Sequence, residues 1–242
     1  MKKLTILLLI FNLFFINGCT SSCMHYRSAT TAARSENNLE RAEKFGLEAL
    51  ESSECNPDTN AWIPYFLAKE VYRVQKNYVQ MAKMLNIAEE INSNQPLEEP
   101  YKLGETPIET IGEGVEALRN YEWGKLFNKA VILFNKKEYN KAEKQLKLCL
   151  IVNPNRIENY PALVDIYIQN ENNDLALETI EAGLNKDPKH SYLNRIRADF
   201  SYQDEDFKNA REFYRIAIEN SDDPGPIMRK VLFIYIDLGE NQ

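Results

Sequence analysis

Few residues in this 242-residue chain could do chemistry, and their spacing argues against catalysis. There are two histidines, and neither His25 nor His190 has a Cys or His companion at metal-ligand spacing. No serine sits in a G-x-S-x-G setting. The acidic pairs Glu89-Glu90, Glu98-Glu99 and Asp222-Asp223 are sequence neighbours at places where helices are expected to end. They read as solvated or turn residues, because an acid and base pair needs two unequal environments facing one cleft. Gly112 and Gly114 do not read as a phosphate loop, since no strand is expected before them and no Lys-Ser or Lys-Thr follows. The formal charge is −7, and the basic residues are dispersed. Lys141, Lys144 and Lys147 alternate with Glu143 and apolar residues as on a solvated helix face. Nucleic-acid binding needs a basic surface. The expectation is therefore no catalytic residue, no metal, no cofactor, no small-molecule substrate and no nucleic-acid partner.

The four cysteines have separate readings. Met1-Lys2-Lys3 is a short basic start, and Leu4 to Ile16 is an apolar run broken by Thr5 and Asn12. That run is shorter than the roughly 20 residues a membrane-crossing helix needs, and the layout is that of an export signal. It ends in Ile16-Asn17-Gly18-Cys19, with a small residue just before the cysteine. Cys149 falls at a small-residue position of a helical pattern, where a buried thiol behaves as a small hydrophobe. Cys23 and Cys55 flank an expected helix pair: Tyr26 to Ala33, a turn over Arg34 to Asn38, then Leu39 to Ser52. The outer ends of an antiparallel pair meet. In an oxidising compartment the two cysteines form a disulfide, and otherwise they stand as two free thiols. Cα atoms more than about 7 Å apart would exclude the bond.

The stretch from Trp123 to Pro224 repeats itself at a fixed interval. Ala142, Ala176 and Ala210 are in register, as are Leu146, Ile180 and Tyr214, then Cys149, Gly183 and Ala217, then Pro154, Pro188 and Asp222. In the first unit Leu126, Ala130, Leu133 and Phe134 have helical spacing, Asn135 to Glu138 reads as a turn, and Tyr139, Ala142, Leu146 and Cys149 form a second apolar face. The small residues mark where two helix axes cross, at roughly 8 to 10 Å. Asn153-Pro154 stops the second helix, because the residue before proline is pushed out of the α region. No single pair can bury both of its faces, so the units must stack. In the third unit Asn194, Arg197 and Ser201 replace bulkier apolar residues, which makes its first helix the weakest.

Upstream, Tyr78, Met81, Leu85 and Ala88 repeat the offsets of Tyr139, Ala142, Leu146 and Cys149, counted from Trp62 instead of Trp123. The step from Trp62 to Trp123 falls short of two full repeats, so the array is interrupted. Pro96, Pro100 and Gly104 predict a loop over Asn94 to Glu105. Thr106-Pro107-Ile108-Glu109 reads as a capping box opening a helix that continues through Ile111, Val115 and Leu118. The expected layout is a signal segment at 1–18, and degenerate helix pairs at 24–55 and 61–93 with their loop inside 19–105. A linking helix at 106–122 follows, then repeats at 123–156, 157–190 and 191–224, and a capping helix at 225–242.

A period of about 34 residues with small, small and aromatic columns followed by Asn-Pro or Asp-Pro resembles the tetratricopeptide repeat, TPR. The resemblance implies an all-α solenoid of about five stacked antiparallel helix pairs plus a terminal helix, whose first helices line a concave face that grips protein or peptide partners. Carrying the family's groove positions across gives Phe127, Val131, Phe134 and Asn135, then Asp165, Ile168 and Gln169. The third repeat gives Tyr192, Arg195, Asp199, Tyr202 and Gln203, and the terminal helix gives Arg229, Phe233 and Asp237; the alternative is that the aromatics among these positions pack within the superhelix. Asp165 and Asp199 stand where the carboxylate clamp of chaperone-binding members needs Asn, so that clamp is not expected. The segment ending in Cys19 resembles a bacterial lipobox, which implies lipidation of Cys19 and a membrane anchor. Thr20, rather than Asp, after it leans toward the outer membrane facing the periplasm. Together these imply a non-catalytic interaction scaffold of the bacterial cell envelope. An accessory subunit of a barrel, pilus or secretin assembly machine shares this layout, and an envelope enzyme would need a convergent acid pair that the sequence does not suggest.

Overall fold

The structure, a computed structural model, describes residues 23–237, with side chains described to residue 234. Cys19 and the segment before it lie outside the described residues. Helices α1 (Met24–Arg34) and α2 (Leu39–Glu51) form the first pair, α3 (62–75) and α4 (Tyr78–Asn92) the second. After an insertion come α5 (Ile111–Asn135) with α6 (Tyr139–Val152), α7 (Asn159–Gln169) with α8 (Asn173–Lys186), and α9 (Ser191–Gln203) with α10 (Phe207–Glu219). A single helix, α11 (Gly225–Asp237), closes the array. Each pair packs on the next, giving the expected all-α solenoid.

The period is written into the turns. Lys137, Glu171 and Glu205, at equivalent places in the three repeats, take φ of 61°, 56° and 60°, and Lys76 in the second pair takes 58°. Such a left-handed residue lets the chain reverse at once. The amides of Glu138, Asn172 and Asp206 then bond back to Leu133, Tyr167 and Ser201 carbonyls at 2.8 to 2.9 Å, closing Schellman-type ends. The second helices start on caps where the sequence supplies them: Asn77, Asn172 and Asp206 side chains accept from the Gln80, Leu175 and Asn209 amides.

Packing explains the columns. Ala142, Cys149, Ala176, Ala210 and Ala217 are all buried, as are Leu146, Ile180 and Tyr214. Fully burying a Leu or Ile side chain contributes roughly 1.5 to 3 kcal/mol. Gly183 cannot be larger: a Cβ there would lie 2.5 Å from Leu193 Cδ1 and 2.9 Å from Tyr160 Cβ. The weakest expected helix, α9, forms because its polar residues are satisfied. Asn194, 1% exposed, donates to the Pro188 and His190 carbonyls, and Arg197 donates to the buried Ser201 hydroxyl.

Two expectations need correction, both at the insertion. The segment expected as a loop is a β-hairpin, β1 (Pro96–Leu103) paired antiparallel with β2 (Thr106–Thr110), Tyr101 facing Ile108 and Leu103 facing Thr106. Gly104, at φ 63°, opens the two-residue Gly-Glu turn. The prolines that argued for a loop are accommodated because this is an edge pair with an irregular register between Pro96 and Tyr101. The linking helix therefore starts not at 106 but at Ile111, as part of one continuous helix to Asn135. Two overlapping capping-box patterns compete, and the second is used: the Thr110 hydroxyl accepts from the Glu113 amide, and the Glu113 carboxylate accepts from the Glu109 and Thr110 amides. That contact holds the Glu113 carboxyl below the usual range. A strand does precede Gly112 and Gly114, but Gly114 serves packing, since a Cβ there would lie 2.5 Å from the Tyr65 hydroxyl.

At the amino end Cys23 and Cys55 form a disulfide with Cα atoms 4.6 Å apart, beside buried Ala49 and Ile63. At the other end α11 buries Ile227 and packs Val231 and Ile234 against the last pair, yet leaves Met228, Leu232 and Phe233 exposed. The terminal helix covers one apolar face and presents another.

Candidate peptide-binding face

The first helices of consecutive pairs present a common face, and the structure divides the expected groove residues among three environments. Val131 and Phe134 at the end of α5 and Asp165 on α7 come together around a cavity of about 160 Å³. Its remaining walls are Ala130, Leu146, Ala162 and Ile166. Ala162 and Ile166 were not among the expected groove residues, although they flank Asp165 on the same helix. Phe134 is braced edge-on by Tyr139 at 5.4 Å, and Phe127, earlier on α5, stacks on Trp123 at 4.9 Å. Asn135 and Gln169 are exposed helix-end residues, Gln169 accepting from Tyr139, while Ile168 packs into the core.

The second environment is polar and self-satisfied. Tyr192 on α9 donates to Asp165 on α7. Arg195 pairs with Asp199 at 3.3 Å and lies over the Tyr192 ring at 4.9 Å. Asp199 also accepts from Tyr214 on α10 at 2.5 Å and from Lys230 on α11 at 2.6 Å. Three successive first helices are thus tied by one ladder. Burial raises the Asp165 carboxyl, with the Tyr192 hydrogen bond and Arg195 opposing, and burial together with Asp165 raises the Tyr192 phenol. The structure thus brings Asp165, Tyr192, Arg195 and Asp199 together, with their polar atoms engaged with one another. Lys230 was not singled out in the sequence and Tyr214 was read there only as a packing column, because nothing in a periodic pattern says which polar groups meet across it. Tyr202 leans on Phe207 at 5.6 Å, Gln203, Arg229 and Phe233 are exposed, and Asp237 is the last described residue.

The third environment lies in the first two pairs, where the β-hairpin covers the first helices. Trp62 Nε1 on α3 donates to the Pro96 carbonyl at 2.7 Å, and the Ala61 amide donates to Gln95 at 2.9 Å. The Tyr26 hydroxyl on α1 donates to Glu98 at 2.6 Å, and Arg34 pairs with Glu99 at 2.9 Å. Leu97 and Ile108 are buried beneath the hairpin, and Lys69 lies over the Tyr101 ring at 4.9 Å. The Tyr65 hydroxyl is buried there without a partner in hydrogen-bond geometry; burial and the nearby Tyr101 raise it. Cys149, buried between α5 and α6, has its thiol pushed up to about 12 by burial and serves packing. Among the described residues no group of three or more His, Cys, Asp or Glu could hold a metal ion.

Helix pairs whose turns and crossing residues recur at one interval decide the architecture. The fold is a TPR-type solenoid. No protein-family model matches the chain, and no curated protein matches it. Among solved structures it is similar to YrrB, a TPR protein with an unusual peptide-binding site, at 18% identity over 87% of this chain and 92% of that one, TM-score 0.40. A TPR protein from Parabacteroides merdae matches at 16% identity over 90% and 75%, TM-score 0.41. PilF of Pseudomonas aeruginosa matches at 17% over 82% and 76%, TM-score 0.39. At such values the likenesses carry no argument, and the fold rests on the TPR geometry of the chain itself.

Proposed function

We propose that this TPR chain is a non-catalytic scaffold that binds a protein or peptide partner on its first-helix face and is held to a bacterial envelope membrane by lipid on Cys19. The observation that carries the binding part is the open cavity at Val131, Phe134, Ala162 and Ile166, apolar and about 160 Å³. An apolar space of about 150 Å³ accommodates benzene, so this one suits a single aliphatic or aromatic anchor side chain. Such anchors dominate interface energetics. The tether draws support from the Cys23–Cys55 disulfide, which fits an oxidising compartment beyond the export signal. The chain from Cys19 to Cys23 reaches at most about 14 Å, which would keep the first helix pair at the headgroups of the outer membrane, facing the periplasm. Acyl chains contribute about 0.8 kcal/mol per buried CH₂, so several on one cysteine hold a protein durably.

A photo-crosslinking residue at Val131 in living cells tests the face, with the same residue at exposed Val79 on α4 as control. An adduct specific to position 131 that disappears when Ala162→Leu fills the cavity is expected. Equal adducts at both positions, or one indifferent to Ala162→Leu, reject the binding face. Cys19→Ser is expected to release the chain from the membrane fraction, and retention would remove the tether.

A further inference from the structure

The insertion that breaks the repeat lies across the positions that form the groove elsewhere. With the offset that aligns Tyr78 with Tyr139 and Met81 with Ala142, Val131 of the open cavity corresponds to Glu70, and Phe127, expected for the groove but stacked on Trp123, corresponds to Phe66. Phe66 and Glu70 line the narrow space under β1, together with Tyr26, Arg34, Trp62 and Lys69. What β1 offers them is what an extended peptide would offer. Its backbone carbonyl at Pro96 is read by the Trp62 indole, one side chain, Leu97, is buried, and two carboxylates are read by Tyr26 and Arg34. Extended peptides are recognised in this way, by main-chain hydrogen bonds plus a pocket for a chosen side chain.

We propose that the α1–α3 face is a recognition site for an extended acidic segment of a protein partner, Pro-Leu-Glu-Glu in character, and that residues 96–103 occupy it in the resting chain. The cover is exchangeable. The Glu99 side chain is 74% exposed, so its ion pair with Arg34 is of the weak surface kind. A two-stranded hairpin is marginal by itself and depends on what it packs against. A partner segment that offers the same apolar residue and carboxylates replaces the chain's own segment and lengthens the occupied face toward the Val131 cavity. The proposal rests on the scaffold reading in using the same first-helix face, but its test uses purified chain and a defined peptide, so its failure leaves the Val131 crosslink untouched.

The probe is a fluorescein-labelled peptide with the sequence of residues 94–103, followed by anisotropy with the full chain. Glu98→Lys with Glu99→Lys turns the cover against Arg34. The peptide is expected to bind this double variant at least tenfold more tightly than the wild type. Adding Arg34→Glu is expected to abolish the gain, as is replacing both peptide glutamates by lysine. Amide exchange over 96–110 is read on the same samples. An opened hairpin without tighter peptide binding overturns the proposal, and so does a hairpin that stays protected in the double variant, since these contacts would then not be what holds it. A gain that survives Arg34→Glu overturns it as well.

Discussion

The first-helix face is finished in two different ways along one chain. From α7 to α11 the polar residues satisfy one another across neighbouring helices, Asp165 with Tyr192 and Asp199 with Arg195, Tyr214 and Lys230, leaving the cavity at Val131 open. From α1 to α3 the corresponding surface is finished by inserted backbone, with Tyr26, Arg34 and Trp62 all spent on residues 96–99. The difference teaches that a repeat array can close part of its face without changing the helix pairs. The spacing betrays the change: the step from Trp62 to Trp123 is less than twice the step from Ala142 to Ala176.

Four perturbations break or sharpen this contrast. The largest effect is expected from Cys23→Ser, which opens a cross-link with a sequence separation of 32 at the covered end. A loop of that length corresponds to about 3 to 4 kcal/mol in the chain-entropy account. The loss should appear as faster amide exchange confined to α1, α2 and the β-hairpin, with the repeats after residue 139 unaffected. Next, Gly183→Val forces atoms into Leu193 and Tyr160, and overpacking of this kind costs about 1 to 3 kcal/mol. Here exchange should quicken in α7 to α9 and leave the covered end alone. Thr110→Ala removes the N-cap of α5, for about 1 kcal/mol, and is the single change expected to register in both halves.

The smallest effect is expected from Asp165→Asn, read as stability against pH. Burial raises the Asp165 carboxyl above the unfolded value of about 3.9. The folded chain therefore holds that proton more tightly than the unfolded one. Its contribution is present below about pH 4 and is lost as pH rises through the raised folded value. Denaturant midpoints of the wild type should fall over that interval relative to the Asn variant, and parallel curves would refute the assignment. Truncations at the covered end, such as Arg34→Ala, should leave this difference unchanged.

The helix pairs and their stacking were legible because three demands repeat at a fixed interval: small residues where axes cross, bulky ones between them and a stop after the second helix. Ala142, Leu146 and Cys149 with Pro154 after them state all three. The β-hairpin was not read, although Gly104-Glu105 between Tyr-Lys-Leu and Thr-Pro-Ile carries a two-residue turn signal, because Pro96 and Pro100 weigh against any strand that is not at an edge. The helix start was misplaced by one turn because Thr106/Glu109 and Thr110/Glu113 spell the same cap, and only pairing with Leu103 and Lys102 removes the first from contention. At the candidate site, the resemblance to the tetratricopeptide repeat pointed to Val131, Phe134 and Asp165 but treated Asp165 and Val131 alike. Which polar groups neutralise each other depends on distances between helices, and those are a property of the assembled array.

Helix α5 gives the two halves a shared skeleton. At 25 residues it runs about 37 Å without a break. Its opening turns, Ile111, Val115 and Leu118, lie in the core with Leu97 and Ile108 of the strands, and its closing turns supply Ala130, Val131 and Phe134 to the open pocket. A rod of that kind acts as a splint between the two regions: the turns packed beneath the strands and the turns that wall the pocket belong to one unbroken backbone.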